Sequence, residues 1–434
     1  METLPLYAPY LVALTMAYGL YLKARRSTAE HATAIKRAAI EAGLSEPTSM
    51  HPVIDAASCL GCGTCTMACP EGDVLGLIGG KADLIEPSHC IGHGACKASC
   101  PTDAIRLVFG TAERGVDLPV VGADFQTNVP GIFIAGELGG MGLIRNAVTQ
   151  GQQAVDAIAS LPGLHQSGRL DLVIVGAGPA GISAALAAKQ KGLSYAVIEQ
   201  DDLGGTVFKY PRGKVVMTAP AMLPIVGEVN FREVSKEKLL AFWKDIENRE
   251  RLPIRFRERV ENIVPEGAGF MVHTDRGALA CRAVLLAIGR RGTPRQLGAP
   301  GENQPKVVYQ LIDPAQYRGK HVLVVGGGDS ALEAAASLAL EAGTQVTLSY
   351  RGPAFGRARA KNRDSVKGLA AQGRIDLLFK STVASIGRDH AVLALDGGAR
   401  TIRNDAVIVC AGGILPFDFL RACGIAMETK YGTA

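Results

Sequence analysis

Residues 171–181 read DLVIVGAGPAG. A short apolar run has the pattern of a buried strand. Gly176, Gly178 and Gly181 follow it in G-x-G-x-x-G spacing, and an alanine-rich, helix-like stretch comes next. Such glycines allow a tight turn and let a pyrophosphate approach the N-terminus of the helix. The next apolar run, YAVIE, ends on Glu199, 18 residues past Gly181, where a carboxylate is placed for ribose hydroxyls. Strand, glycines, helix and acid together make a dinucleotide site.

Working outward, the pattern recurs at 321–331, HVLVVGGGDSA, with Gly326, Gly328 and Ala331 in G-x-G-x-x-A spacing. Its following strand, QVTLSY, ends without an acid and runs into Arg351, with Arg357, Arg359 and Lys361 close behind. A cationic cluster there suits a 2′-phosphate and favours NADPH over NADH, although loop arginines are also commonly just solvated. From about residue 111 the chain alternates β-rich and alanine-rich helical stretches, the pattern of α/β domains with parallel sheets.

Two such units, with LLAIGRRGTPRQLGAPGE between them and AVIVCAGGILPFDFL after them, resemble the two-dinucleotide-fold flavoproteins, nearest to thioredoxin reductase and its bacillithiol-reductase-like relatives. The stretch GGTVFKYPRGKVVM at 204–217 resembles the latter and adds Gly204 and Gly205 to the cofactor-binding glycines. The resemblance implies FAD in the first unit and NAD(P)H in the second. It also implies a closing phrase like TNVPGIFAAGD, whose acid binds the flavin ribityl chain. Here TNVPGIFIAGE stands at 127–137, before the first glycine motif, and is followed by a helix-like run. This resembles a circular permutation, with Gly136 and Glu137 as flavin contacts and Glu137 in place of the family's aspartate. A permuted chain should bring its C-terminus near residues 110–120.

Seven of the ten cysteines fall between Cys59 and Cys100. Cys59, Cys62, Cys65 and Cys69 follow C-x2-C-x2-C-x3-C-P, a spacing in which three thiolates serve one iron–sulfur cluster and the fourth serves another. Zinc runs usually supply two cysteines per loop. A second run, CIGHGACKASCP at 90–101, repeats the first with His93 where the first has Cys62. Together the runs resemble bacterial two-cluster ferredoxins. That resemblance implies crossed ligation, one cluster on Cys59, Cys62, Cys65 and Cys100, the other on Cys69, Cys90, Cys96 and whatever position 93 offers. Three readings stand side by side. His93 ligates a [4Fe–4S] cluster, or the site holds a three-iron cluster with His93 unbound, or a small ligand takes the fourth iron.

The chain has 434 residues and a formal net charge of +5, with no block of like charge that would mark a nucleic-acid arm. From Leu4 to Leu22 it carries no charge, with tyrosines near both ends and Lys23, Arg25 and Arg26 following. That pattern predicts a single transmembrane crossing with the bulk on the cytoplasmic side of the inner membrane. The alternative is a buried or partner-docked helix. Ser27 and Glu30 have capping-box spacing, with a helix stop at Gly43.

The expected architecture is α/β, with two Rossmann-like domains, a small α+β two-cluster ferredoxin domain and one N-terminal transmembrane helix. Its divisions are an anchor at 1–26, helix and linker at 27–52, ferredoxin domain at 53–110 and permuted FAD-domain segment at 111–165. The FAD domain proper follows at 166–300, the NAD(P) domain at 301–404 and a return to the FAD domain at 405–434. The expected function is a membrane-anchored oxidoreductase passing electrons between NAD(P)H, FAD and two iron–sulfur clusters. One cluster is [4Fe–4S]; the other is [4Fe–4S] or [3Fe–4S]. Its partners are the membrane and a redox protein, with a homodimer allowed and no nucleic acid. No side-chain acid, base or nucleophile is needed. Rival readings are a non-catalytic relay subunit and a reverse or electron-splitting reaction. With no C-x-x-C outside the cysteine runs, and with Cys281, Cys410 and Cys423 isolated in apolar surroundings, disulfide reduction is not expected.

Overall fold

Gly76 and Ala32 explain how the N-terminal helix packs. Helix α1 (Leu4–Glu41) lays its second half on a hairpin, where a Cβ on Gly76 would stand 2.7 Å from the Ala32 methyl. Small residues on both sides let helix and strand touch. Ala32 and Ala39 are buried, and Lys36 Nζ reaches Asp83 Oδ2 at 2.6 Å. The structure, a computed structural model, describes residues 4–432 apart from 43, 48, 49, 141, 219, 291 and 357. It forms two compact units. One comprises the chain up to Gly115 with Ala354–Ala360 and the stretch from Lys430 onward; the other comprises Val116–Pro353 and Lys361–Thr429.

In the smaller unit, β1 (His51–Ile54) pairs antiparallel with β4 (Ile105–Val108). Between them lie the short helix α2 (Thr64–Ala68), the hairpin of β2 (Leu75–Ile78) and β3 (Lys81–Leu84), and a second short helix α3 (Ala95–Ala98). The internal repeat of the sequence is therefore a repeat of structure. Each short helix begins after a left-handed glycine, Gly63 at φ 78° and Gly94 at φ 79°. Val74, Leu75, Ala104 and Ile105 form a small core with the buried cysteines.

Among the described residues no helix is long and apolar enough to cross a membrane. The anchor expected at 1–26, the single-pass inner-membrane location and the membrane as partner are therefore withdrawn. The reason lies in composition, since prolines, tyrosines, Thr15 and Gly19 dilute the aliphatic residues. Helix α1 also runs unbroken through Lys23, Arg25, Arg26 and Glu30, so Ser27 caps nothing. The helix stop expected at Gly43 lies outside the described residues.

The larger unit carries the two glycine motifs on two sheets. Its strand β5 (Val116–Pro119) pairs with the last strand, Met427–Lys430. Val120 N donates to Ala426 O at 2.9 Å and Thr429 Oγ1 to Asp117 Oδ1 at 2.6 Å. The chain then enters the seven-stranded sheet with β6 (Ile132–Ile134), a three-residue apolar strand parallel to the end of Gly277–Leu286. Helix α4 (Ile144–Ile158) follows, then β7 (Leu170–Val175), α5 (Pro179–Gln190) and β8 (Tyr195–Glu199). The parallel part of this sheet runs Ile254–Phe256, β8, β7, Gly277–Leu286, β6. Val148, Gly151, Ala154, Val155 and Ile158 share one buried helical face. A Cβ on Gly151 would stand 2.2 Å from Ala180 O, so α4 and α5 meet backbone to backbone. Residues 127–158 are thus part of the same core as β7 and α5, Phe133 and Val155 packing with Leu172 and Ile174.

The second sheet is five-stranded and parallel, in the order Val307–Val308, Ala406–Val409, His321–Val325, Gln345–Tyr350, Ile375–Phe379. Strand Ala406–Val409, placed by sequence in the return segment, closes this sheet instead. The crossing back comes at Gly413–Ile414, which pairs with Thr293–Pro294. In the smaller unit, Gly432 N donates to Phe109 O at 2.9 Å.

Candidate functional site

The first glycine turn forms one wall of a cleft of about 630 Å³ at the carboxyl ends of β7 and β8. Each glycine there has a steric reason. A Cβ on Gly176, at φ 106°, would stand 2.5 Å from Ala287 O, and one on Gly181 would stand 1.8 Å from Gly176 O. Gly178 precedes α5, with Pro179 at its first position. Gly204 N donates to Ala177 O at 2.9 Å, and Gly205 packs against Gly178, a Cβ there lying 3.1 Å from its Cα. Glu199 is buried at the end of β8. It accepts from Ala177 N at 2.7 Å and Asp201 N at 2.8 Å, yet burial outweighs these amides and pushes its carboxyl above the usual range.

Gly136 and Glu137 line the same cleft, a Cβ on Gly136 standing 3.2 Å from the Ala180 methyl at the start of α5. Gly136, at φ 86°, donates its N–H to Gln150 Oε1 at 2.8 Å, so α4 fixes the turn that presents Glu137. Gly176, Gly178, Glu199, Gly205, Gly136 and Glu137 therefore meet in one place. Sequence reasoning missed Gln150 and Asp201. Asp201 lines the cleft and pairs with Lys209 at 2.6 Å. Its position two residues past Glu199 was the available signal.

The second turn repeats the device. A Cβ on Gly326, at φ 144°, would stand 2.3 Å from Cys410 O, and Ala331 is fully buried under it. Gly328 precedes the helix Asp329–Ala339. Arg351 is exposed just past the strand Gln345–Tyr350, while Arg357 lies outside the described residues. The sequence did not reveal Tyr350, whose ring lies against Gly327, 2.4 Å from where a Cβ would be.

In the smaller unit, Cys59, Cys62, Cys65 and Cys100 rim a single small cavity. Gly61, at φ 65°, shapes its loop, where a Cβ would stand 1.9 Å from Gly80 O. Backbone amides point at the sulfurs, Gly61 N and Ala82 N at 3.4 Å from Cys59 Sγ, and Ala104 N at 3.3 Å from Cys100 Sγ. Among the described residues no three His, Cys, Asp or Glu groups converge as a single metal ion would need. Four sulfurs spread around a cavity, each supported by amides, fit a cluster rather than one tetrahedral zinc with sulfurs at about 2.3 Å. Burial, and then the neighbouring Cys59, push the Cys65 thiol up to about 11. The Thr64 hydroxyl and amide hold the exposed Cys62 thiol below its usual value.

Cys69, Cys90 and Cys96 form the second group. Burial pushes the Cys90 thiol up to about 11, with Cys96 and Cys69 adding to the shift. His93 is half-buried beside them. Its Nε2 lies 3.9 Å from Cys69 Sγ, and its Nδ1 accepts Ala95 N–H at 3.1 Å. Cys281 and Cys423 are buried single thiols, pushed by that burial up to about 12 and about 11.

Comparison with known proteins agrees with both halves. The 4Fe-4S dicluster domain profile matches residues 51–101, and the pyridine nucleotide-disulphide oxidoreductase profile matches residues 173–433. A ferredoxin–NADP reductase of Ignicoccus hospitalis is 29% identical over 264 residues, covering 60% of this chain and 83% of its own. A ferredoxin–NADP reductase of Thermus thermophilus is 30% identical over 269 residues, covering 59% of this chain and 77% of its own. Among solved structures, the bacillithiol disulfide reductase of Staphylococcus aureus superposes with a TM-score of 0.54 at 26% identity, over 59% of this chain and 81% of that one. With its two glycine turns, its cofactor cleft and a profile match over more than half its length, the chain belongs to the pyridine nucleotide-disulphide oxidoreductase family, and it carries a ferredoxin-like unit ahead of that fold.

Proposed function

We propose that this chain is an NADPH-dependent oxidoreductase that exchanges electrons between nicotinamide, FAD, two iron–sulfur clusters and a redox protein partner. The observation that carries the reading is the cleft itself, which Gly136, Glu137, Gly176 and Gly178 line together with Glu199 at the strand end. Bound there, FAD supplies the conversion between a two-electron hydride and single electrons. The glycine turn holds the pyrophosphate, Glu199 takes the ribose hydroxyls, and Glu137 orients the ribityl chain. Arg351 gives the second turn its preference for a 2′-phosphate. Cys59, Cys62, Cys65 and Cys100 hold one [4Fe–4S] cluster, and Cys69, Cys90 and Cys96 hold the second. The reductases of Ignicoccus and Thermus, named for ferredoxin and NADP, support electron exchange with a ferredoxin-like iron–sulfur protein.

The segment 111–165 is the end of the flavoprotein fold moved to its front. The pairing of β6 with Gly277–Leu286 and of β5 with Met427–Lys430 supports this reading. Disulfide reduction is not part of the proposed activity. Cys281 and Cys423 are buried, and neither sits beside a second cysteine in sequence.

Anaerobic addition of NADPH to the full chain tests the proposal. Flavin absorbance should bleach within the turnover time and cluster signals should follow, with NADH markedly less effective. If neither nucleotide bleaches the flavin, the enzyme reading is wrong.

A further inference from the structure

Two loops of the same shape hold Cys62 and His93, and the difference between them assigns a role to the histidine. Gly61 and Gly63 flank Cys62 at φ 65° and 78°; Gly92 and Gly94 flank His93 at φ 75° and 79°. The backbone therefore offers position 93 to a cluster as it offers position 62. The side chains then part ways. Cys62 Sγ meets the Thr64 hydroxyl at 3.2 Å, and its sulfur stays on the rim of the first cavity. The residue matching Thr64 is Ala95, which has no hydroxyl, and its backbone N–H donates instead to His93 Nδ1 at 3.1 Å.

That one bond fixes the ring. A nitrogen that accepts an amide hydrogen carries no proton, so in the neutral imidazole the proton sits on Nε2. Nε2 is the atom 3.9 Å from Cys69 Sγ, within reach of a long N–H···S contact. A nitrogen that binds iron must give its in-plane lone pair to the metal. In His93 the Nδ1 pair is spent on Ala95, and the Nε2 pair is replaced by a proton. Ligation through either atom would require the loop to surrender the Ala95 N–H at the start of α3, where an amide has no partner within the helix.

We infer that His93 is not a ligand of the second cluster but an N–H donor to the Cys69 sulfur, and that this cluster is held by three thiolates, Cys69, Cys90 and Cys96. The inference rests on the proposed two-cluster reading. Its consequence is a second cluster with one corner lacking a protein ligand and with its Cys69 sulfur made less basic. Both effects raise its reduction potential above that of the first cluster, whose four cysteines are complete.

The test uses full chain labelled with ¹⁵N-histidine and purified without oxygen, with iron counted per flavin and pulsed EPR recorded on the second cluster. The expected result is no strong histidine-nitrogen coupling. With it comes either about seven irons and the signal of an oxidised three-iron cluster, or about eight irons with a non-protein ligand on the open one. Strong ¹⁵N coupling together with about eight irons overturns the inference and makes His93 a ligand. About four irons per flavin overturns the two-cluster reading beneath it, a different and separately visible failure. His93→Ala gives a second readout. As a lost donor, it keeps the iron count and moves the second cluster's midpoint downward; as a lost ligand, it loses iron. His93→Cys should convert a three-iron site to a four-iron one, silent in the oxidised state.

Discussion

Asp171 shows how a single buried carboxylate is held ionised. It accepts the amides of His165 and Ser194 and the Ser194 hydroxyl, the last two at 2.8 Å. Burial alone would raise its carboxyl, but these donors win and hold it below the usual range. A lowered value in the folded state means that its stabilisation is complete above the unfolded value, about pH 4, and is lost as pH falls through the folded one. Asp171→Asn should therefore cost about 1.5–3 kcal/mol near neutrality and flatten the acid limb of a stability-against-pH curve. Equal acid sensitivity in variant and parent would contradict this. At the glycine turn the expectation is steric. Gly181→Ala places a methyl 1.8 Å from Gly176 O, and overpacking of this kind costs about 1–3 kcal/mol. Flavin affinity should fall roughly 10- to 100-fold, read from the flavin retained after gel filtration. These residues were legible in the sequence because a glycine needed for close approach leaves no substitute. Gln150 was not, since nothing in its spacing says that from helix α4 it accepts the Gly136 N–H.

At the scale of elements, α4 and α5 depend on one missing side chain. Gly151→Ala puts a methyl 2.2 Å from Ala180 O, and Ser183 Oγ already bonds Val148 O at 2.7 Å beside it. The helices must separate, and the cost should again be about 1–3 kcal/mol, seen as a lower denaturant midpoint with an unchanged slope. A midpoint equal to the parent's would show that the contact relaxes freely. Strand and helix periodicity announced both dinucleotide sheets, because parallel strands buried on two faces read as continuous apolar runs. It misjudged α1. A charge-free run flanked by arginines resembles a membrane span locally, yet the same helix continues into the contacts of Ala32, Lys36 and Ala39 with the ferredoxin-like unit. Local charge pattern could not report that packing.

For the whole molecule, the proposed order of segments can be tested directly. If residues 111–165 are the end of the flavoprotein fold placed at its front, moving them behind residue 434 and joining the ferredoxin-like unit to residue 166 should restore a folded, flavin-binding chain. Flavin content within about twofold of the parent is expected. A rearranged chain that folds but holds no flavin would argue that the front position is required. The motif TNVPGIF made this segment visible in the sequence. The sequence also placed the C-terminus near residues 110–120, but the bonds that make the join, the Val120 amide on Ala426 O and the Thr429 hydroxyl on Asp117, carry no motif.

The pairing of β6 also has a consequence in time. Ile132 and its partner Val284 are 152 positions apart, and β6 is made first. At about 5–20 residues per second, a ribosome needs roughly 8–30 s to deliver the strand that β6 must pair with. For that interval Ile132, Phe133 and Ile134, all buried in the finished sheet, have no edge to join. Nascent chains halted before residue 284 should be the ones that engage chaperones, and those halted well beyond it should not.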